Sequence, residues 1–281
     1  MKRVSIIIPC FNAGDLLCEA VESALAQSHA DIEIIIVDDG STDPRTQEIL
    51  EAATWPRTRI IRKENAGPAS ARNIAIGQSR GEYILPLDAD DTIEPTYVEK
   101  ALAVMESSPN VGIVYCKAMR FGAEQGPWGL PPYNLRELVI DNVIFVTSMF
   151  RRSDWLAVGG FNESLRMGVE DYEFWVKIVG KGRDVVQLDE YLFNYRIQES
   201  SRTTSFSADR SVVVDTYARI FRDNIDFFAR HAEFLFEHRF GLYDELARYR
   251  ARYGKLDAFL SRHSVIRRLA KGVVDVFGIG R

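Results

Sequence analysis

The sequence predicts an α/β fold, a mainly parallel central sheet flanked by helices with a C-terminal helical extension. Three observations predict it. Short Ile/Val-rich runs without polar alternation recur through the first 115 residues, as in strands covered on both faces. Helical spacing follows each run, which implies parallel βαβ units with right-handed crossovers. Residues 207–275 then carry aromatic and aliphatic side chains at helical spacing.

Strands are expected at 4–8, 33–37, 58–61, 83–87 and 111–115, with helices at 15–27, 44–52, 69–78 and 95–107 between them. Asp43 before Pro44 fits a helix N-cap with proline in the first turn. From about residue 116 the alternation stops. Gly126-Pro127-Trp128-Gly129-Leu130-Pro131-Pro132-Tyr133 is a loop, either substrate-facing or an ordinary surface excursion. Residues 142–150 read as a strand, 153–158 as a short helix, 168–181 as a helix and 185–195 as a strand.

The 281 residues suffice for one large domain with an appendage, and 46% hydrophobic with 27% charged residues is an ordinary globular composition. No apolar run approaches the ~20 residues needed to span a bilayer. Met1-Lys2-Arg3-Val4 enters a strand pattern at once, so no signal peptide is expected. Cys10, Cys18 and Cys116 lack metal-ligand spacing and read as reduced thiols of a cytosolic protein. Residues 248–281 hold nine Lys/Arg against two acids, a net +7 on a remainder of −12. The acidic body argues against nucleic-acid binding.

Ligands of parallel sheets bind beyond the carboxyl ends of the strands. Four polar, turn-forming segments converge there: Pro9-Cys10-Phe11-Asn12, Asp38 to Asp43, Glu64 to Pro68, and Asp88-Ala89-Asp90-Asp91. Three carboxylates at the end of the apolar run 83–87 suit a hard cation such as Mg²⁺ or Mn²⁺, whose remaining shell is water and substrate phosphate. Asp39 and Asp90 follow what look like adjacent parallel strands. A solvated acidic turn is the alternative.

Six motifs then stand in order: Ser5-Ile6-Ile7-Ile8-Pro9-Cys10-Phe11-Asn12, Val37-Asp38-Asp39-Gly40-Ser41-Thr42-Asp43, Asn65-Ala66-Gly67-Pro68-Ala69-Ser70-Ala71-Arg72-Asn73, Leu87-Asp88-Ala89-Asp90-Asp91, Gly159-Gly160-Phe161-Asn162 and Glu170-Asp171-Tyr172-Glu173-Phe174-Trp175. Together they resemble the family 2 glycosyltransferases over roughly residues 3–205. The resemblance implies the GT-A nucleotide-diphospho-sugar transferase fold with a Rossmann-like sheet. It divides the chain into a nucleotide-sugar-binding half (1–115), an acceptor-binding and catalytic-base half (116–205) and a helical extension with a basic tail (206–281).

The implied activity is inverting, metal-dependent transfer of a sugar from a nucleotide-sugar to a glycan or lipid-linked glycan, as in surface polysaccharide or lipopolysaccharide biosynthesis. By resemblance Asp171 is the general base. Asp39 would accept the imide N–H of a uracil ring, so UDP is the expected nucleotide, with dTDP as the alternative. Pro9, Phe11 and Asn12 would border base and ribose. Arg72 would stand near the base or support Asp39 and Asp88, and Asp88 and Ala89 would lie near the ribose. Asp90 is the leading metal ligand, with Asp88 and Asp91 as further candidates. Glu170 would position the acceptor or raise the pKa of Asp171 by like charge. Trp175 either stacks on an acceptor sugar or packs beneath the site. Many relatives place a His after the Tyr-Arg pair, whereas Tyr195-Arg196-Ile197-Gln198-Glu199 has Gln198 near that place. Glutamine is a poor transition-metal ligand but compatible with Mg²⁺, so water or Glu199 would complete the shell.

A lipid-phosphate acceptor on the same fold is an alternative, and a non-catalytic nucleotide-sugar-binding module is an alternative of another class. A dinucleotide oxidoreductase is disfavoured because no Gly-x-Gly-x-x-Gly follows the first strand. In the basic tail, Val265, Ile266, Leu269, Val273, Val276 and Phe277 approximate one helical face, with Arg262, Arg267, Arg268 and Lys271 beside it. That pattern suits a peripheral contact with the inner face of the cell membrane. A helix packed on the acidic body, or a contact in a homo-oligomer, is the alternative.

Overall fold

The computed structural model describes residues 2–198 and 202–263. The elements in chain order are β1 (Val4–Cys10), α1 (Leu16–Leu25), β2 (Ile32–Asp38), α2 (Pro44–Ala52), β3 (Thr58–Arg62), α3 (Pro68–Gln78), β4 (Tyr83–Pro86), β5 (Thr92–Ile93), α4 (Tyr97–Ser107) and β6 (Val111–Gly122). They continue with β7 (Gly126–Pro127), α5 (Leu135–Ile140), β8 (Met149–Arg151), α6 (Arg152–Val158), α7 (Glu170–Gly180), β9 (Asp184–Ile197), α8 (Arg202–Ala208), α9 (Arg210–Asp223), α10 (Ile225–Arg230) and α11 (Ala232–Arg262).

One sheet runs β3-β2-β1-β4-β8-β6-β9-β5, with β7 paired to β6. Its first half is parallel, β1 between β2 and β4 and β2 beside β3. Its second half is mixed. β8 lies antiparallel between β4 and β6, β6 and β9 are parallel along a bulged ladder, and β5 closes antiparallel on β9. Ile6, Ile7 and Ile8 of β1 and Ile34, Ile35 and Ile36 of β2 are fully buried, so both faces are covered, as the lack of polar alternation predicts. Each such side chain contributes about 1.5–3 kcal/mol of transfer free energy. Asp43 caps α2 by accepting from the Thr46 N–H at 2.7 Å, with Pro44 in the first turn.

Two expectations are corrected. Asp39 and Asp90 do not follow adjacent strands, because β1 lies between β2 and β4. The run 142–150 is strand only at Met149–Arg151. Val143, Ile144 and Phe145 are buried, but the backbone of Ile144 and the Phe145 carbonyl pair with side chains rather than with a neighbouring strand. The Ile144 N–H donates to Asn142 Oδ1 and the Ile144 carbonyl accepts from Trp175 Nε1. A buried loop and a buried strand share the same hydrophobicity.

The chain forms two compact units, Met1–Arg230 and one beginning at His231. Helices α9 and α10 belong to the first, where Ile220, Phe227 and Phe228 are buried. The described part of the second is α11. The tail residues Val265, Ile266, Arg267, Arg268, Leu269, Lys271, Val273, Val276 and Phe277 lie outside the described residues, as does Glu199. Among the described residues no helix is long and apolar enough to cross a membrane. Cys10, Cys18 and Cys116 are unpaired thiols, and burial pushes Cys10 and Cys116 up to about 12.

Candidate active site

Two cavities lie beside the carboxyl ends of β1, β2 and β4. The larger, about 560 Å³, is lined by Pro9, Phe11, Asn12, Asp39, Gly67, Ala89, Asp90 and Gln198. The smaller, about 220 Å³, is lined by Trp128, Leu130, Asn142, Phe145, Val169, Glu170 and Asp171. Arg72, Asp88, Tyr195 and Arg202 line both, so the cavities meet at those four side chains. The larger volume falls in the range of small-molecule sites.

Asp39 follows β2 and is buried against the loop after β3. Its Oδ1 accepts from Ala66 N–H at 3.0 Å and Lys63 Nζ at 2.5 Å, and its Oδ2 from Gly67 N–H at 2.8 Å. A carboxylate offers about four lone-pair sites, so one acceptor position remains. Gly40 makes the approach possible. At φ +74° its conformation disfavours a side chain, and a Cβ there would lie 2.8 Å from the Asn65 backbone nitrogen. Asn12, itself at φ 53°, ties the β1 loop to the β2 loop by accepting from Thr42 and Asp43 N–H at 2.8 and 2.9 Å.

Arg72 on α3 is the hub. Its Nη2 donates to Asp88 at 2.6 Å and its Nη1 to Glu170 at 2.7 Å, while Nε has no partner among the described residues. Burial works against the guanidinium charge, but Asp88 and Glu170 overcome it and hold the group above its ordinary value. Arg72 does not bond Asp39, whose cationic partner is Lys63. Glu170 also accepts a two-pronged contact from Arg202, at 2.7 and 3.1 Å. Burial pushes Glu170 upward, and the charges of Arg202 and Arg72 outweigh it and bring the carboxyl to about 2.

Asp171 opens α7 beside Glu170. Its Oδ2 accepts from Asn142 Nδ2 at 3.1 Å and its Oδ1 from Tyr172 N–H at 2.8 Å. Burial pushes its carboxyl up to about 6, the Glu170 charge adds to the rise and Arg72 opposes it. The preceding Val169 is a β-branched residue at φ 57°, a strained left-handed conformation of the kind that clusters at functional sites.

The expected metal ligands separate. Asp88 and Asp90 line the larger cavity together, and Asp90 Oδ2 accepts from Gln198 Nε2 at 2.5 Å. Burial and the Asp88 charge raise Asp90, a crowding that a cation would relieve. Asp91 is buried, accepts from the Arg196 N–H at 2.8 Å and lines the smaller cavity with Asp88 rather than the larger one with Asp90. No group of three His, Cys, Asp or Glu side chains that could hold a metal occurs among the described residues. Two carboxylates with ligand oxygens and water nevertheless fit Mg²⁺ or Mn²⁺.

Glu170 lines the smaller cavity, but both its oxygens are taken by arginines. Trp175 lines neither cavity and is fully buried one turn deeper in α7, where it donates to the Ile144 carbonyl at 2.9 Å and packs on Phe150 and Phe174. It is a core residue, because the 142–148 loop covers it. Sequence reasoning missed Lys63, Asn142 and Arg202, whereas Trp128 lies in the loop read as either substrate-facing or a surface excursion and lines the smaller cavity. Lys63 had a signal, as the first residue beyond β3 on the edge where the motifs converge.

The model of the family "Glycosyl transferase family 2" matches residues 5–156. The chain belongs to glycosyl transferase family 2. The match takes in Asp39, Arg72 and the Asp88–Asp90 pair and stops before Asp171. Chondroitin synthase of Escherichia coli is 36% identical over 63% of this family 2 chain and 27% of its own length. The chain spans only 19–27% of that protein and two Pasteurella multocida relatives. The fold of the family 2 chain is that of solved glycosyltransferases. S. aureus TarS in complex with UDP-GlcNAc has TM-score 0.63 and 22% identity, covering 83% of this chain and 73% of that one. The mannosyltransferase PcManGT of Pyrobaculum calidifontis, with GDP-Man and Mn²⁺, has TM-score 0.65 and 19% identity, covering 94% and 80%.

Proposed function

We propose that this chain transfers a sugar from a nucleotide-sugar, held in the larger cavity, to a hydroxyl of a glycan or lipid-linked glycan in the smaller one, with inversion at the anomeric carbon. The observation that carries the reading is the meeting of the two cavities at Arg72 and Asp88, with the Asp171 carboxyl on the acceptor side. Family membership, and the solved relative holding UDP-GlcNAc, support a nucleotide-sugar donor. The open acceptor position on Asp39 suits the imide N–H of uracil, so UDP is the proposed nucleotide. Pro9, Phe11 and Asn12 border the base and ribose. Relatives named for chondroitin and hyaluronan synthesis support a polysaccharide acceptor. Residues 1–115 then form the donor half and 116–205 the acceptor half of one sheet.

In the reaction Asp171 takes the proton of the acceptor hydroxyl. The freed oxygen attacks the anomeric carbon as the bond from that carbon to the diphosphate oxygen breaks, and the nucleoside diphosphate leaves. A single displacement needs one base on the face opposite the leaving group. Glu170 keeps Arg72 and Arg202 in place and, by its charge, favours proton uptake by Asp171. Arg72 presents fixed positive charge, and an open Nε–H, where the cavities meet. Asp90 with Asp88 would hold Mg²⁺ or Mn²⁺, which supplies neutralisation of charge on the diphosphate.

A thermal-shift series of nucleotide-sugars with and without Mg²⁺ or Mn²⁺ tests the donor assignment, because a ligand bound to the native state raises the midpoint. The expected outcome is stabilisation by a uridine diphosphosugar. Stabilisation by purine nucleotides alone would reject the assignment of Asp39, and the absence of nucleoside diphosphate release with any glycan acceptor would favour a binding module.

A further inference from the structure

Helix α11 spans Ala232–Arg262, 31 residues, and so extends about 46 Å at 1.5 Å per residue. Positions 235, 239, 242, 246, 249, 253, 256 and 260 alternate steps of four and three along it. They hold Leu235, Arg239, Leu242, Leu246, Tyr249, Tyr253, Leu256 and Leu260, all apolar or aromatic but one. Leu242, Leu246, Tyr249 and Leu256 are 51%, 44%, 50% and 54% exposed.

The period of this stripe is 3.5 residues. A stripe matched to a straight helix lying on a globular body or a lipid surface follows 3.6, and the two drift apart by ~20° per heptad. Over this length a strict 3.5 repeat keeps one seam only against another helix that supercoils with it. The glycines of the helix, Gly241 and Gly254, fall outside the seam.

The residues flanking the seam specify the partner. Glu245 and Arg250 stand on opposite sides of it five positions apart. In a parallel, in-register pair of identical helices such positions meet across the interface. The next pair along the sequence, Arg252 and Asp257, is again opposite in sign by residue type. Arg239, the polar residue of the seam, lies with its guanidinium 5.5 Å from the Tyr243 ring centroid and donates to the Tyr243 hydroxyl at 3.1 Å. A single polar seam residue fixes register and strand number at some cost in stability.

We propose that α11 pairs with the α11 of a second copy of this chain in a parallel, two-stranded coiled coil. Sedimentation equilibrium of the full chain should give a dimer, and Leu246→Glu with Leu256→Glu should give a monomer whose nucleotide binding is unchanged. Glu245→Arg should weaken the dimer, and adding Arg250→Glu should restore it. In a Cys18→Ser background, Tyr249→Cys should cross-link across the seam under oxidation. A wild-type chain that stays monomeric at its highest soluble concentration overturns the proposal. So does a trimer, a cross-link that fails to form in a proven dimer, or a monomer that binds anionic vesicles through α11.

Discussion

Arg72 and Glu170 form an ion pair at 2.7 Å with both side chains almost wholly buried, joining α3 of the parallel half of the sheet to α7 of the mixed half. Asp88 and Arg202 extend it at either end. Two acids and two arginines thus alternate along the line where the cavities meet. Removing one member of a buried pair leaves an uncompensated charge and typically costs 3–5 kcal/mol. Arg72→Met is therefore expected to destabilise the protein by about 3–5 kcal/mol, measured by chemical denaturation. A loss below about 1 kcal/mol would mean that the pair is relaxed in solution.

Asp171→Asn is expected to cut turnover by ~10²-fold or more while leaving donor affinity nearly unchanged. The pH dependence follows from the raised carboxyl. A base must be ionised to act, so activity is present above the folded pKa and falls as pH drops through about 6. Glu170→Gln removes the like charge that adds to the rise, so the acid limb should move to lower pH. Rate profiles of the two proteins check this, and an unmoved limb would assign it to another group.

Much of this site was legible in the sequence, for local reasons. The strands β1 and β2 announce themselves because burial on both faces leaves no polar alternation. Asp43 and Pro44 announce a helix start because capping involves neighbours in the chain. What stayed hidden is long-range or lies in irregular backbone. Nothing near Arg202 says that it meets Glu170, 32 positions away. Asn142 sits at the start of an apolar run, and only the fold shows that the run is a buried loop that brings its amide to Asp171. Trp175 stands in the same motif as Asp171 yet points its indole N–H at a core carbonyl.

Lys63 is the cation on Asp39, with a largely buried ammonium. Lys63→Met is expected to weaken uridine nucleotide binding with or without metal, because Asp39 loses the cationic partner that aligns its carboxylate. Asp90→Ala is expected to abolish the metal dependence and leave metal-free uridine binding intact. Calorimetry of UDP with both variants separates the two roles. An identical metal response in both would reject the division of labour.

Gly40→Ala tests the geometry beneath Asp39. The new Cβ would meet the Asn65 backbone nitrogen at 2.8 Å in a left-handed conformation, so the loop after β3 must shift. A side chain in that conformation costs roughly 1–2 kcal/mol. Donor affinity should fall as well, since the Ala66 and Gly67 N–H groups that hold Asp39 are carried on the displaced loop. Wild-type stability with wild-type UDP affinity would show that the loop yields freely.

Trp128 tests the smaller cavity. It stacks on Tyr195 at 4.5 Å between ring centroids and 21° between planes, and its loop is fixed by its own N–H to the Ala118 carbonyl at 2.8 Å. An aromatic wall beside the proposed base gives the apolar face of a pyranose a surface to lie on. Trp128→Ala should therefore raise the acceptor KM about tenfold, the equivalent of ~1.4 kcal/mol, while donor binding changes little. Trp128→Phe should recover most of the loss, because the ring face rather than the indole N–H is the contact. An equal fall in donor affinity would instead assign Trp128 to supporting Tyr195 where the two cavities meet.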